Sequence, residues 1–366
     1  MPNPQAPSSE RPTVWKTLKN DFRTTEFKKS LAYDFNEAKE YYLDKEQLAR
    51  LERMGAFKRW IYSTTWLLKA LFLKLTSARR ILLLVSMLLI ITDNDQSAKS
   101  LLGGLLLLFI LLLELKDKLL ARHELFEGHL VQEALMPERT PALPGWEAWL
   151  FTRSANEVGG DLVDFIELEN NRYGLVLGDV VGKGLRAALF MARLQAIVRA
   201  MLPDFESLGD LGTKLNRIFY RDVRGNFATL IYLEINPDSR RIRFLNAGHL
   251  PPVIFNSVEA REAPKGGPAL GLIPDAGYEE QSIELREEES LLIYSDGLTE
   301  TRNERGTFLG EERVLKFLPR VAADSAAAIG ERLVAEVIRF MGMAKAHDDL
   351  SLIVLKPKQG AAGSRQ

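Results

Sequence analysis

The sequence predicts an α+β domain built on antiparallel sheet and preceded by an α-helical, membrane-associated N-terminal region. Three observations carry this expectation. After Trp146, short apolar segments punctuated by Gly, Pro, Asn and Asp read as strands. A pair of helical stretches falls among them, so strands cluster instead of alternating with helices. Ahead of that region lie two very apolar runs, residues 81–92 and 101–113.

The chain has 366 residues and a net charge of −1. That length suits one large domain or two ordinary ones. Near-neutral charge gives no basic stripe of the kind nucleic-acid binding uses, so no nucleic-acid partner is expected. There is no cysteine, which excludes disulfides, thiolate chemistry and Cys-based zinc sites.

In chain order, residues 1–20 read as a loose polar tail without the apolar core of a secretory leader. Residues 21–78 form an amphipathic helical region. Its later part interleaves Trp60, Tyr62 and Trp66 with Lys58, Arg59, Lys69 and Lys74, the pattern of a helix in a membrane interface. Residues 79–115 hold the two apolar runs around a polar turn at 93–96. Each run is shorter than the ~20 residues that cross a bilayer as a helix. Basic flanks (Arg79, Arg80, Lys116, Lys118, Arg122) place both ends of this hydrophobic hairpin on the cytoplasmic side. Gly103-Gly104 permits close helix contact, in a membrane or in a soluble bundle.

A connecting helix over 114–136 carries Leu115, Leu119, Phe126 and Leu130 on one side. It reads as a connector, or as a signalling helix that pairs with a second copy in a homodimer. Met136-Pro137 and Pro141–Gly145 mark a boundary. The catalytic candidate spans 137–358, and 359–366 is a tail. Strands are expected at 147–151, 161–168, 173–181, 227–235, 241–246, 253–256, 281–285, 290–294 and 351–355. Helices are expected at 185–202, 205–221, 311–317 and 325–340.

Four acidic sites sit beside apolar strands: Asp161 after Gly159-Gly160, Asp179 after Gly178, Asp296 before Gly297, and Asp348-Asp349. A carboxylate beside a buried strand is costly alone, and several together repel. Hard divalent cations with oxygen ligands resolve that conflict, and a pair of them can activate water against a phosphoryl group. Taken singly, each Gly-Asp or Asp-Gly is an ordinary turn. Spacing alone does not fix the chemistry.

The motifs do more. Glu157-Val158-Gly159-Gly160-Asp161, Gly178-Asp179-Val180-Val181-Gly182-Lys183-Gly184, Asn246-Ala247-Gly248-His249-Leu250-Pro251-Pro252, Tyr294-Ser295-Asp296-Gly297 and Asp348-Asp349-Leu350-Ser351 occur in one order. From about residue 125 onward the chain resembles the PPM superfamily of metal-dependent serine/threonine phosphatases, in its bacterial SpoIIE/RsbU-like branch. The resemblance implies an α-β-β-α sandwich of two antiparallel sheets with two Mn²⁺ or Mg²⁺ at one end. It implies that Asp161, Asp179, Asp296 and Asp348 act through metal-activated water. Asp179 would bridge the ions, Val180 would lend its backbone carbonyl, and Asp349 would ligate or orient. The implied substrate is a phosphorylated anti-sigma-factor antagonist of the STAS type, in a partner-switching pathway at the cytoplasmic membrane.

Many relatives carry His where this chain has Lys183, which is expected to be a solvated turn lysine. No match for a phosphate-binding arginine is evident. His249 is expected to be structural, and His347 a simple neighbour of the Asp pair. Asn303, Gly306 and Gly310 are expected to shape a loop beside the site. Two rival functions are a two-metal hydrolase of a small phosphoester and an inactive membrane scaffold that binds a phosphoprotein.

Overall fold

The computed structural model describes residues 35, 36, 38, 39, 42–92, 97–222, 226–237 and 241–358. The two expected tails, the expected turn at 93–96 and residues 21–34 lie outside the described residues. The chain divides into two compact units, Met1–Leu119 and Leu120–Gln366.

In the first unit, helix α1 (Lys45–Glu52) begins at a capping box in which Asp44 and Gln47 exchange hydrogen bonds. Helix α2 spans Ala56–Lys74 and α3 spans Ser77–Ile91. The second apolar run and the connecting segment are a single helix of 38 residues, α4 (Ser97–Ala134). The start of α4 runs antiparallel to α3. Ser86 Oγ donates to the Gly103 carbonyl at 2.9 Å, and Arg79 donates to Glu114 at 2.7 Å and Asp117 at 2.6 Å. A Cβ at Gly103 would stand 2.7 Å from Ile90, whereas Gly104 faces open space. Gly103 is therefore the position where the two helices approach. Residues 98–134 are long and apolar enough to cross a membrane. The 15 residues of α3 fall short of the ~20 required. Leu101, Leu105, Leu108 and Leu112 on α4 are exposed.

The second unit is a sandwich. One sheet has the order β1 (Trp146–Arg153), β10 (Leu350–Pro357), β9 (Ser290–Tyr294), β6 (Val253–Phe255), β7 (Ala260–Glu262). The other has the order β2 (Asp161–Leu168), β3 (Arg172–Val180), β4 (Ala228–Ile235), β5 (Arg241–Ala247), β8 (Gln281–Glu284). Neighbouring strands are antiparallel throughout. Alternation with period two builds three apolar layers. Leu175 and Leu177 face the core between the sheets with Ile231, Ile293 and Ile353. Val176, one residue out of phase, faces α5 (Leu185–Met201) and α6 (Leu208–Asp222) through Met191, Leu194 and Leu215. On the other outer face, α8 (Glu311–Phe317) and α9 (Ala326–Met341) cover Trp149, Leu352 and Val354. A Cβ at Gly330 of α9 would stand 2.0 Å from the Trp149 ring, so glycine sets how closely that helix lies. This is the α-β-β-α architecture that the resemblance implied.

Three local differences have physical causes. Helix α6 starts at Leu208, not 205. Pro203 lies in a 3₁₀ turn, Leu202–Asp204, Phe205 is extended, and the Ser207 hydroxyl caps the Asp210 N–H at 3.2 Å. Strand β7 was not expected: its Ala260 is half-buried and its Arg261 and Glu262 are exposed, so it lacks the apolar alternation that marks a strand. Asp296 opens a one-turn helix, α7 (Asp296–Thr299), where the sequence suggested only a turn.

Candidate active site

Strand register assembles the site. The β2–β3 pairing sets Asp161 opposite Asp179, and the β3–β4 pairing sets Asp179 opposite Thr229. From the facing sheet, Asp296 follows the end of β9 by two residues, while Asp348 and Asp349 immediately precede β10. Those two segments are stitched together. Ser295 N–H donates to the Ser351 carbonyl at 2.9 Å, and Ser295 Oγ donates to the Asp349 carbonyl at 3.1 Å. A Cβ at Gly297 would stand 2.0 Å from that same carbonyl, so only glycine fits the Asp-Gly step here. All five aspartates thus gather at one end of the sandwich, two from one sheet and three from the other.

Their electrostatics are those of an uncompensated cluster. Burial, then the neighbouring Asp179 charge, holds the Asp161 carboxyl well above the usual range; a 2.5 Å bond from Ser351 Oγ offsets only part of this. Asp179 is pushed up to about 7, by burial first and then by Asp296, Asp348 and Asp349. Asp296 is raised by burial and by Asp348. Such mutual elevation marks a site built for positive charge.

Asp349 is different. Its Oδ1 accepts the Ala155 N–H at 2.8 Å and its Oδ2 accepts the Gly160 N–H at 2.7 Å. Each oxygen thus helps to hold the loop before β2. Gln132, near the end of α4, grips the same loop: its Nε2 donates to the Gly159 carbonyl at 2.9 Å, and its Oε1 accepts the Gly159 N–H at 3.1 Å.

The donor set suits hard divalent cations. It consists of oxygens only, and it includes an uncrowded backbone carbonyl. A Cβ at Gly160 would lie 3.0 Å from the Val180 carbonyl oxygen and 3.6 Å from Asp179 Oδ1, so Gly160 keeps that cradle open. Among the described residues no three acidic or histidine side chains already converge as a finished cage. Lys183 Nζ donates to Asp348 Oδ2 at 3.0 Å and to the His347 carbonyl at 2.5 Å. Lys183 is exposed in the turn, as expected, and in addition pairs with Asp348. His347 contributes its backbone carbonyl to that contact.

His249 is structural. Its Nε2–H donates to the Tyr294 carbonyl at 3.1 Å, and its Nδ1 accepts the Thr229 hydroxyl at 2.9 Å. Burial pushes its pKa down to about 4, so it is neutral near pH 7. Asn303 caps the Arg305 and Thr307 N–H groups at 3.0 Å each, and Gly306 and Gly310 adopt positive φ, which shapes the loop after α7. Sequence reasoning missed Gln132 and the Lys183–Asp348 pair. Both are contacts between distant chain segments, and no local pattern announces them.

Two antiparallel sheets face to face, helices outside them and carboxylates at one end define the fold of PP2C-type phosphatases. The SiaA-PP2C domain of Pseudomonas aeruginosa superposes with a TM-score of 0.58 at 17% identity, over 66% of this chain and 99% of that one. The RsbU and RsbW domains of a Mycobacterium tuberculosis protein superpose with a TM-score of 0.53 at 25% identity, over 60% of this chain and 64% of that one. The family model described as Stage II sporulation protein E (SpoIIE) matches residues 169–358, more than half of the chain, and the chain belongs to that family. Curated relatives include protein IcfG of a Synechocystis species, 28% identical over 56% of this chain and 37% of that protein. Phosphoserine phosphatase RsbU of Bacillus subtilis is 25% identical over 62% of this chain and 68% of its own length. The matched region thus spans well under half of the first relative and about two-thirds of the second.

Proposed function

We propose that this chain is a metal-dependent serine/threonine protein phosphatase, anchored to the cytoplasmic membrane with its C-terminal unit in the cytoplasm. The observation that carries the reading is the cluster of Asp161, Asp179, Asp296 and Asp348, whose charges are met among the described residues only by the Lys183–Asp348 contact. Asp161, Asp179, the Val180 carbonyl, Asp296 and Asp348 would hold two Mn²⁺ or Mg²⁺. When bound, the ions supply an activated water and neutralise phosphoryl charge. The chain's own contribution is placement. Asp349 and Gln132 fix the loop that leads into Asp161. His249, with both ring nitrogens engaged, positions strands and moves no proton. The names of the RsbU and RsbP relatives, both phosphoserine phosphatases, support the reaction class. The same likeness supports a phosphorylated STAS-type anti-sigma antagonist as substrate. The apolar stretch of α4 supports the anchor, and the exposed Leu115, Leu119, Phe126 and Leu130 leave a surface on which a second copy can pair.

The test uses the full chain in detergent micelles. Phosphate release is followed from a phosphoserine STAS-type protein and from a chromogenic phosphoester, with Mn²⁺ or with EDTA. Mn²⁺-dependent release from the protein, with the ester turned over poorly, is expected. Efficient turnover of the ester alone would favour a small-molecule hydrolase. Mn²⁺ binding without release from either would leave the scaffold reading.

A further inference from the structure

The cleft in front of the carboxylates has a volume of about 430 Å³, and Asp179, Asp296, Thr229, His249 and Lys265 line it. Two of these are acidic, and His249 is neutral near pH 7. Of the side chains lining the cleft, only Lys265 is positively charged. The nearby Lys183 is already engaged by Asp348. Lys265 is exposed, and its charge is also felt by the neighbouring Glu262.

Its backbone, by contrast, is fixed. Gln281 Nε2 donates to the Lys265 carbonyl at 2.9 Å, and Gly267 N–H donates to the Asn246 carbonyl at 2.9 Å. A Cβ at Gly266 would stand 2.1 Å from that Asn246 oxygen, so the Lys-Gly-Gly segment lies tight against the end of β5. The result is a rigid base that carries a flexible four-carbon stem and its ammonium at the cleft. A phosphoryl dianion entering this cleft meets repulsion from Asp179 and Asp296 wherever cations do not screen it. A lysine point charge is a recurrent solution for holding phosphate.

We propose that Lys265 is the phosphate-holding cation of this site, its ammonium donating to a non-bridging oxygen of the substrate's phosphoryl group. The assignment deepens the phosphatase reading and rests on it.

The experiment uses the Mn²⁺-loaded full chain in detergent micelles, with inorganic phosphate as the probe. Binding is read from the broadening of the phosphate ³¹P signal by bound Mn²⁺, which needs no turnover. Lys265→Ala is expected to weaken phosphate affinity about tenfold or more, while Lys265→Arg stays within about threefold of wild type. Mn²⁺ affinity is expected to be unchanged in both. KM for a phosphoserine protein should rise with the loss of phosphate affinity, and kcat should move less. If Lys265→Ala loses Mn²⁺ binding as well, Lys265→Met, which keeps the stem without the charge, is read in its place. Phosphate affinity within about twofold of wild type in the uncharged variant would overturn the assignment. A wild-type protein that binds phosphate through Lys265 yet hydrolyses no ester would sink the phosphatase reading and leave the subsite standing.

Discussion

Asp179 and Asp349 lie at the same end of the sandwich and have opposite surroundings. Asp349 accepts two backbone N–H groups and closes a loop. Asp179 is half-buried among like charges, and its carboxyl is pushed up to about 7. The same side chain is thus a latch in one place and an unmet demand for a cation in the other. The number of hydrogen-bond donors aimed at each carboxylate separates structure from chemistry here. Residue type does not.

Three substitutions or conditions break or sharpen that contrast. The largest effect is expected for Asp179→Asn. If Asp179 holds metal as proposed, Mn²⁺-dependent phosphate release should fall by about a thousandfold or more. The metal-free variant should melt higher than metal-free wild type, because a repelled charge is gone. A lower melting temperature would show Asp179 to be structural after all. Asp349→Ala is expected to act on stability, at a cost of about 2–4 kcal/mol in urea unfolding, because one buried and one part-buried N–H group lose a charged acceptor. A wild-type urea midpoint in that variant would remove the latch.

The smallest effect is the pH response of the metal-free wild type. In the folded protein Asp179 has a pKa near 7, against an ordinary 3.8. The folded state therefore binds its proton more tightly than the unfolded state. The stability this lends is complete below about pH 4 and lost as pH rises toward 7. Scanning calorimetry in EDTA should show the melting temperature falling across that window. The rise caused by Mn²⁺ should grow across the same window, since the metal replaces the proton. A melting temperature flat in EDTA over that range would contradict the cluster's electrostatics.

Much of this was legible in the sequence because it is local. Strands such as Ser290–Tyr294 and Asp161–Leu168 announce themselves by apolar texture and bounding turns. Asp161, Asp179 and Asp296 were legible because glycines flank them, and the structure explains two of those glycines: Gly297 avoids the Asp349 carbonyl and Gly160 leaves room at Val180. What the sequence hid depends on pairing between distant segments. The two roles within Asp348-Asp349 differ because Lys183 reaches one and the amides of Ala155 and Gly160 reach the other. Lys265 carried no motif, since one exposed lysine before two glycines looks like any turn. The unbroken Ser97–Ala134 helix was read as two elements because its composition shifts from apolar to charged midway, although helical propensity does not.

His249 has one more consequence. Its ring spans the gap between the sheets, taking the hydroxyl of Thr229 on β4 and reaching the carbonyl of Tyr294 at the end of β9. Asp179 is the cross-strand partner of Thr229, and Asp296 lies two residues beyond Tyr294. The imidazole is in effect a spacer between two plates, and each plate carries one jaw of the site. The gauge of the opening is therefore set by a residue of the β5–β6 connection wedged between the two sheets.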